Sequence, residues 1–235
     1  MLPGTSERNQ RHTFLHVSFS DSFGLASVHS SHRVCRVRQQ IMRRLPIYIL
    51  VDTSSSMKGE PIESVKIGVG EVVSSLRMDP YCLETAYLSI ITYDKEARQI
   101  LPLTDLENLQ LPDIGCSNDI CSDMEQAINV LCECIDRDII PSNKEIKGDW
   151  NPKILFISNG RVINNTAIKR LEQYRIGRIA TYKLSWEDKV DLFTSLDKIS
   201  DFVHIIGTWD GPGNYIGSWK GEDFNNIELP PPPRS

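Results

Sequence analysis

The chain has 235 residues, 40% of them hydrophobic and 24% charged, enough for one sizeable globular domain with appendages. No apolar run approaches the roughly 18–20 residues that a membrane-spanning helix needs. The net charge of −5 is uneven: residues 1–41 hold five Arg against one Glu and one Asp, so the remainder carries −8, and an acidic body argues against nucleic acid as the main partner.

Residues 1–41, rich in Ser, His and Arg, show no periodicity and lack the apolar stretch of a signal peptide. They read as a disordered or non-native extension ahead of a natural start at Met42, or else as a flexible basic arm. A strand is predicted over 46–52, ending in Asp52-Thr-Ser54-Ser-Ser56-Met57. A helix follows over 61–77, with Pro61 in its first turn, Ile62, Val65, Val69, Val72, Val73 and Leu76 on one face, and Asp79-Pro80 at its end. Runs at 85–93 and 97–102, joined by Asp-Lys-Glu, predict a hairpin. Ser122-Asp-Met-Glu125 reads as a capping box opening a helix over 123–136, whose stripe is Met124, Ala127, Ile128, Leu131 and Ile135.

After a polar excursion at 141–152, Ile154-Leu-Phe-Ile157 predicts a buried strand ending in Ser158-Asn159-Gly160. Helices near 165–174 and 188–198 alternate with strands near 178–184 and 202–206. Residues 207–235 read as a Gly- and Pro-rich tail whose proline run favours polyproline II. Strands alternating with helices imply an α/β fold: a doubly wound, mostly parallel six-stranded sheet flanked by helices, with the hairpin as its one antiparallel edge.

This order puts Asp52, Ser54 and Ser56 on a loop at the C-terminal end of a strand, where open α/β sheets bind ligands. One carboxylate and two hydroxyls are hard oxygen ligands suited to Mg²⁺. The same residues also suit a turn that bonds its own backbone. Four of the five histidines (His12, His16, His29, His32) fall within 1–41, leaving His204 alone in the body, which argues against Ser-His-Asp triads and His-rich zinc sites. Cys132 and Cys134 point about 200° apart on a helix and cannot chelate together, whereas Cys116 and Cys121 share a loop. Reduced thiols and a cytoplasmic location are expected.

The three loops carrying Asp52-x-Ser54-x-Ser56, Ser122 and Ser158-Asn159-Gly160 resemble the metal-ion-dependent adhesion site of a von Willebrand factor A domain. Asp-Thr-Ser-x-Ser-Met-x-Gly-Glu-Pro-Ile-Glu, Leu-Arg-x-Asp-Pro-Tyr-x-Leu-Glu-Thr, Leu-Ser-Ile-Ile-Thr-Tyr, Glu-Cys-Ile-Asp-Arg and Lys-Gly-Asp-Trp resemble the bacterial TerY-type tellurium-resistance proteins. The resemblance covers about 42–206 and implies a Rossmann-like von Willebrand A fold over that stretch. It assigns metal ligation to Asp52, Ser54, Ser56, Ser122 and Asn159. Ser122 stands at the family's threonine, with Ser117 the alternative register, and Cys121 replaces a glycine. Asn159 stands where the family has an aspartate, so one charge is lost; Asp119 or Asp123 could compensate, or could be a solvated loop residue and a helix N-terminal charge.

The resemblance implies binding rather than turnover: a non-enzymatic scaffold of a tellurite or stress-resistance system. It would hold Mg²⁺, or Mn²⁺ or Ca²⁺, and take a carboxylate from a protein partner in the open coordination position. Candidate partners are a kinase and phosphatase pair or other tellurium-resistance proteins. Two alternatives stand beside it. One is a degenerate domain that binds partners without metal. The other is a phosphatase-like enzyme with Asp52 as nucleophile, disfavoured because Ser54 occupies the position of that chemistry's second aspartate.

Overall fold

The computed structural model describes residues 42–158, 165–186, 199–209 and 215–217. Seven strands form one sheet in the order β3-β2-β1-β4-β5-β6-β7. The first, β1 (Leu45–Asp52), is buried at all eight positions, as expected of a central parallel strand covered on both faces. It pairs in parallel with β2 (Ala86–Tyr93) on one side and β4 (Lys153–Ser158) on the other. β5 (Arg178–Trp186) and β6 (Phe202–Trp209) extend the parallel run. β3 (Ala97–Asp105) and β7 (Tyr215–Gly217) pair antiparallel at the two edges.

The expected doubly wound, mostly parallel sheet is therefore present, with seven strands rather than six and two antiparallel edges rather than one. The seventh strand is three residues among glycines, too short for an alternation to register. β6 continues to Trp209, and β7 lies within the stretch read as a tail. Residues 1–41, the predicted helix near 188–198 and the final proline run lie outside the described residues.

Alternating β1 side chains feed two apolar layers. Leu45, Ile47, Ile49 and Val51 face α1 (Glu60–Met78), meeting Ile62, Val65, Val69, Val72, Val73 and Leu76. Tyr48 and Leu50 face α3 (Met124–Asp138) and α4 (Asn165–Leu171), meeting Met124, Ala127, Ile128, Leu131 and Ile135. Each buried aliphatic side chain contributes about 1.5–3 kcal/mol. Asp79-Pro80 both ends α1 and starts a short α2 (Pro80–Thr85), because the Asp79 carboxylate accepts from Tyr81 N and Cys82 N at 2.8 and 3.1 Å.

At the N-terminal end of β1 the Lys-Gly-Asp-Trp segment forms a clamp. Asp149 takes Arg44 in a two-pronged ion pair at 3.0 and 2.6 Å and also accepts Ile140 N at 2.8 Å. Arg43 stacks 3.8 Å from the Trp150 ring centre and donates to the Gly148 carbonyl at 2.7 Å. A Cβ on Gly148 would run into backbone atoms of Ile140, Pro141 and Ser142, so only glycine fits there. Among the described residues no helix is long and apolar enough to cross a membrane.

Candidate functional site

The chain runs β1, β2, β3 toward one edge and β4, β5, β6 toward the other, so the topology reverses between β1 and β4. Ligands of open α/β sheets bind in the crevice at such a switch point. Asp52 is the last residue of β1 and is fully buried there.

Its position on the strand decides its surroundings. Val51 points into the α1 layer, so Asp52 points to the α3 side. One carboxylate oxygen accepts Ser54 N at 2.9 Å, folding the chain into a tight turn. The other accepts the Ser122 hydroxyl at 2.8 Å across 70 residues of sequence. Ser54 and Ser56 place their hydroxyl oxygens 2.8 Å apart. A single turn of 3-10 helix (Ser55–Met57), anchored by the fully buried Met57, holds Ser56 in place. Gly59 follows at φ 84°, a left-handed conformation that redirects the chain into α1 at no steric cost.

The second loop docks through its backbone. Ser55 N donates to Asp119 O at 2.8 Å and Ser117 N to Thr53 O at 2.9 Å, and Lys58 Nζ donates to Asn118. Asp52, Ser54, Ser56 and Ser122 are therefore gathered on adjoining turns, Ser122 on the Asp52 carboxylate and the Ser54 and Ser56 hydroxyls on each other: one carboxylate and three hydroxyls. Ser117 is spent locally, its hydroxyl accepting Asp119 N at 3.2 Å. Asn159 lies outside the described residues.

The capping box does not form as read. Asp123, not Ser122, caps α3, accepting Gln126 N at 3.1 Å. Ser122 and Asp123 are both good caps by residue type, and the buried Asp52 carboxylate takes the serine hydroxyl. With Asp123 engaged as a cap and Asp119 exposed on the loop, Asp52 is the one fully buried carboxylate among the described residues.

Two further residues belong to this edge and have no motif to announce them. Tyr93 ends β2 directly opposite Asp52 in register. Burial raises its phenol pKa well above the ordinary value, the charge of Asp52 adds to the rise, and neighbouring Ser158 opposes it. Ser158 stands close enough to act on the phenol through hydrogen bonding, yet by distance and angle the fully buried hydroxyl has no hydrogen-bond partner among the described residues. Lys183 pairs with Ser158 in register, on the next strand out. Tyr182 and Leu184 face the α1 layer, so Lys183 takes the Asp52 side, and it is only 7% exposed. Cys116, half-buried beside the site, is pushed up to about 11 by burial, with Asp52 contributing.

The donor set fits a small hard cation: a carboxylate and three hydroxyl oxygens on adjoining turns, and an orphaned phenol next to them. Among the described residues there is no cluster of three or more His, Cys, Asp or Glu that could hold a metal, so what they offer a cation here is hydroxyls and a single carboxylate.

Among curated proteins none matches the sequence. Among solved structures, a D319A mutant of the PilB minor pilin from Streptococcus sanguinis superposes with a TM-score of 0.52 at 8% identity, covering 79% of this chain and 61% of that one. A von Willebrand factor type A protein from Catenulispora acidiphila gives 0.48 at 15% identity, covering 79% and 42%. The ArnB paralog VWA2 from Sulfolobus acidocaldarius gives 0.46 at 16%, covering 70% of this chain, which spans 42% of that protein's length. The von Willebrand factor type A domain family matches residues 47–112, the stretch from β1 through the Asp52 turn, α1 and the hairpin to the start of the second loop. On that match, residues 47–112 carry the sequence signature of a von Willebrand factor type A domain, set within this α/β fold.

Proposed function

We propose that this domain is a non-enzymatic protein-interaction module that holds a divalent cation through Asp52, Ser54, Ser56 and Ser122 and presents it to a carboxylate of a protein partner. Von Willebrand A domains are a general protein-interaction module type. The observation that carries the reading is the meeting of one fully buried carboxylate with three hydroxyls at the sheet's switch point. A bound Mg²⁺ or Mn²⁺ would supply a Lewis-acidic point for an acidic ligand; the chain's own part is to fix four oxygens and shield them from bulk water. With Asp52 committed to the cation, the described residues beside it include no His or second carboxylate to act as general base, which favours binding over turnover. Asn159 lowers the negative charge and with it the affinity. The likeness to TerY-type proteins in the quoted motifs supports a place in a cytoplasmic tellurite or stress response beside kinase, phosphatase or other resistance partners.

Calorimetric titration of Mg²⁺ and Mn²⁺ into the full chain tests the reading. Binding in the wild type that is lost in Asp52→Ala is the expected result. Asn159→Asp should tighten binding severalfold, because it adds a charge beside the cation. No heat and no thermal stabilisation at millimolar metal would sink the metal-dependent reading.

One observation favours the metal-free alternative. The Ser54 and Ser56 hydroxyls bond each other, and Ser122 bonds Asp52, so these oxygens satisfy one another as they stand. A partner complex that forms equally well in EDTA would establish that alternative.

A further inference from the structure

We infer that Tyr93 is a positioning residue of this site, its hydroxyl donating a hydrogen bond into the oxygen shell of a cation held by Asp52, Ser54, Ser56 and Ser122. This rests on the proposed metal reading and extends it to a residue outside the four ligands.

A buried hydroxyl without a partner carries a cost that evolution removes simply by using phenylalanine. Tyr93 has that cost: it is fully buried, and its hydroxyl has no hydrogen-bond partner among the described residues. Its place in the fold shows what the hydroxyl serves. Tyr93 stands opposite Asp52 in the β1–β2 ladder, and Ser158 ends the strand on the other side of β1. All three lie on the α3 side of the sheet at its C-terminal edge, and the phenol feels the charge of Asp52 and stands close to the Ser158 hydroxyl. Thr53 N and the Thr53 hydroxyl both donate to the Tyr93 carbonyl, at 2.8 and 3.1 Å. The backbone carrying the phenol is thus tied to the Asp52 turn.

The Asp52 oxygens already accept Ser54 N and the Ser122 hydroxyl. A cation drawn into this cluster brings further oxygens with it, and those are the acceptors a buried donor lacks. The Tyr48 hydroxyl likewise has no hydrogen-bond partner among the described residues, but it stands four residues back along β1, beside Asp138 and Cys134 rather than beside the site.

The test compares the full-length wild type with Tyr93→Phe. Metal-free, the variant should melt at the same temperature as the wild type or higher, since it loses an unsatisfied hydroxyl. Its Mg²⁺ affinity by calorimetry should be about tenfold weaker, the usual size of an outer-shell effect. A tyrosine near-UV difference signal on Mg²⁺ addition should be present in the wild type and absent from the variant. Equal affinity within twofold, with no difference signal to lose, would overturn the role of Tyr93 and leave the metal site standing. A wild type that binds no metal would overturn both.

Discussion

The two ends of the central strands carry polar clusters of opposite character. At the N-terminal end, Arg44 and Asp149 match each other charge for charge, and Asp149 also takes the Ile140 amide. The Asp149 carboxylate pulls the Arg44 guanidinium pKa upward, mainly through their hydrogen bond. That cluster is complete within the chain and fastens the 140–149 loop to β1. At the C-terminal end, one carboxylate is surrounded by hydroxyls, which can turn either a proton or a lone pair to the same point. The first arrangement suits stability; on the proposed function, the second suits a cation. Both are polar, yet the donor chemistry alone tells the clamp from the site.

This contrast predicts that clamp substitutions change stability and leave metal affinity alone, while site substitutions do the reverse. The largest stability effect is expected from Asp149→Ala, which strands Arg44 and the Ile140 amide. Denaturant unfolding should show a loss of about 3 kcal/mol, with the Mg²⁺ affinity of the folded fraction unchanged. A loss below about 1 kcal/mol would reduce the clamp to an ordinary surface ion pair. Next comes Lys183→Met. Asp52 and Lys183 are both buried, and they share the site edge of the sheet. They stand two strands, about 10 Å, apart, where repulsion of a dication by an ammonium is on the order of 3 kcal/mol before screening. Replacing that ammonium by an apolar chain of similar length should tighten Mg²⁺ binding about tenfold in calorimetry; unchanged affinity would mean the charge is screened from the site. The smallest effects separate two adjacent residues. Asp123→Ala should cost about 1 kcal/mol of stability by uncapping α3 and leave metal affinity within twofold. Ser122→Ala should weaken Mg²⁺ binding severalfold while α3 keeps its cap.

Much of this was legible in the residues. The run Leu45–Val51 followed by Asp52-x-Ser54-x-Ser56 announces a buried parallel strand and an oxygen-rich turn, because β-branched density and turn chemistry are local properties. The hairpin was legible for the same reason. Resemblance names Ser122 as a candidate ligand and its hydroxyl does reach Asp52, yet the helix cap that the sequence suggests for it falls to Asp123. Serine and aspartate compete equally for an N-cap, and the carboxylate that decides between them lies 70 residues away. The clamp has the same cause for its silence: Arg44 and Asp149 are separated by 105 residues. Tyr93 looked like any aromatic in a strand, since nothing in an alternating pattern marks a hydroxyl as unpartnered. The loop bearing Asn159 stays outside the described residues, so its part rests on the motif.

The most direct test of the central claim is electron paramagnetic resonance of Mn²⁺ added to the full chain, in wild type and in Asp52→Asn. That substitution keeps the hydrogen-bonding shape of the side chain and removes its charge. The account predicts that the wild type quenches the free Mn²⁺ signal with one-to-one stoichiometry, that Mg²⁺ restores it by competition, and that Asp52→Asn leaves it undiminished. Equal quenching by both proteins, or by neither, would contradict it.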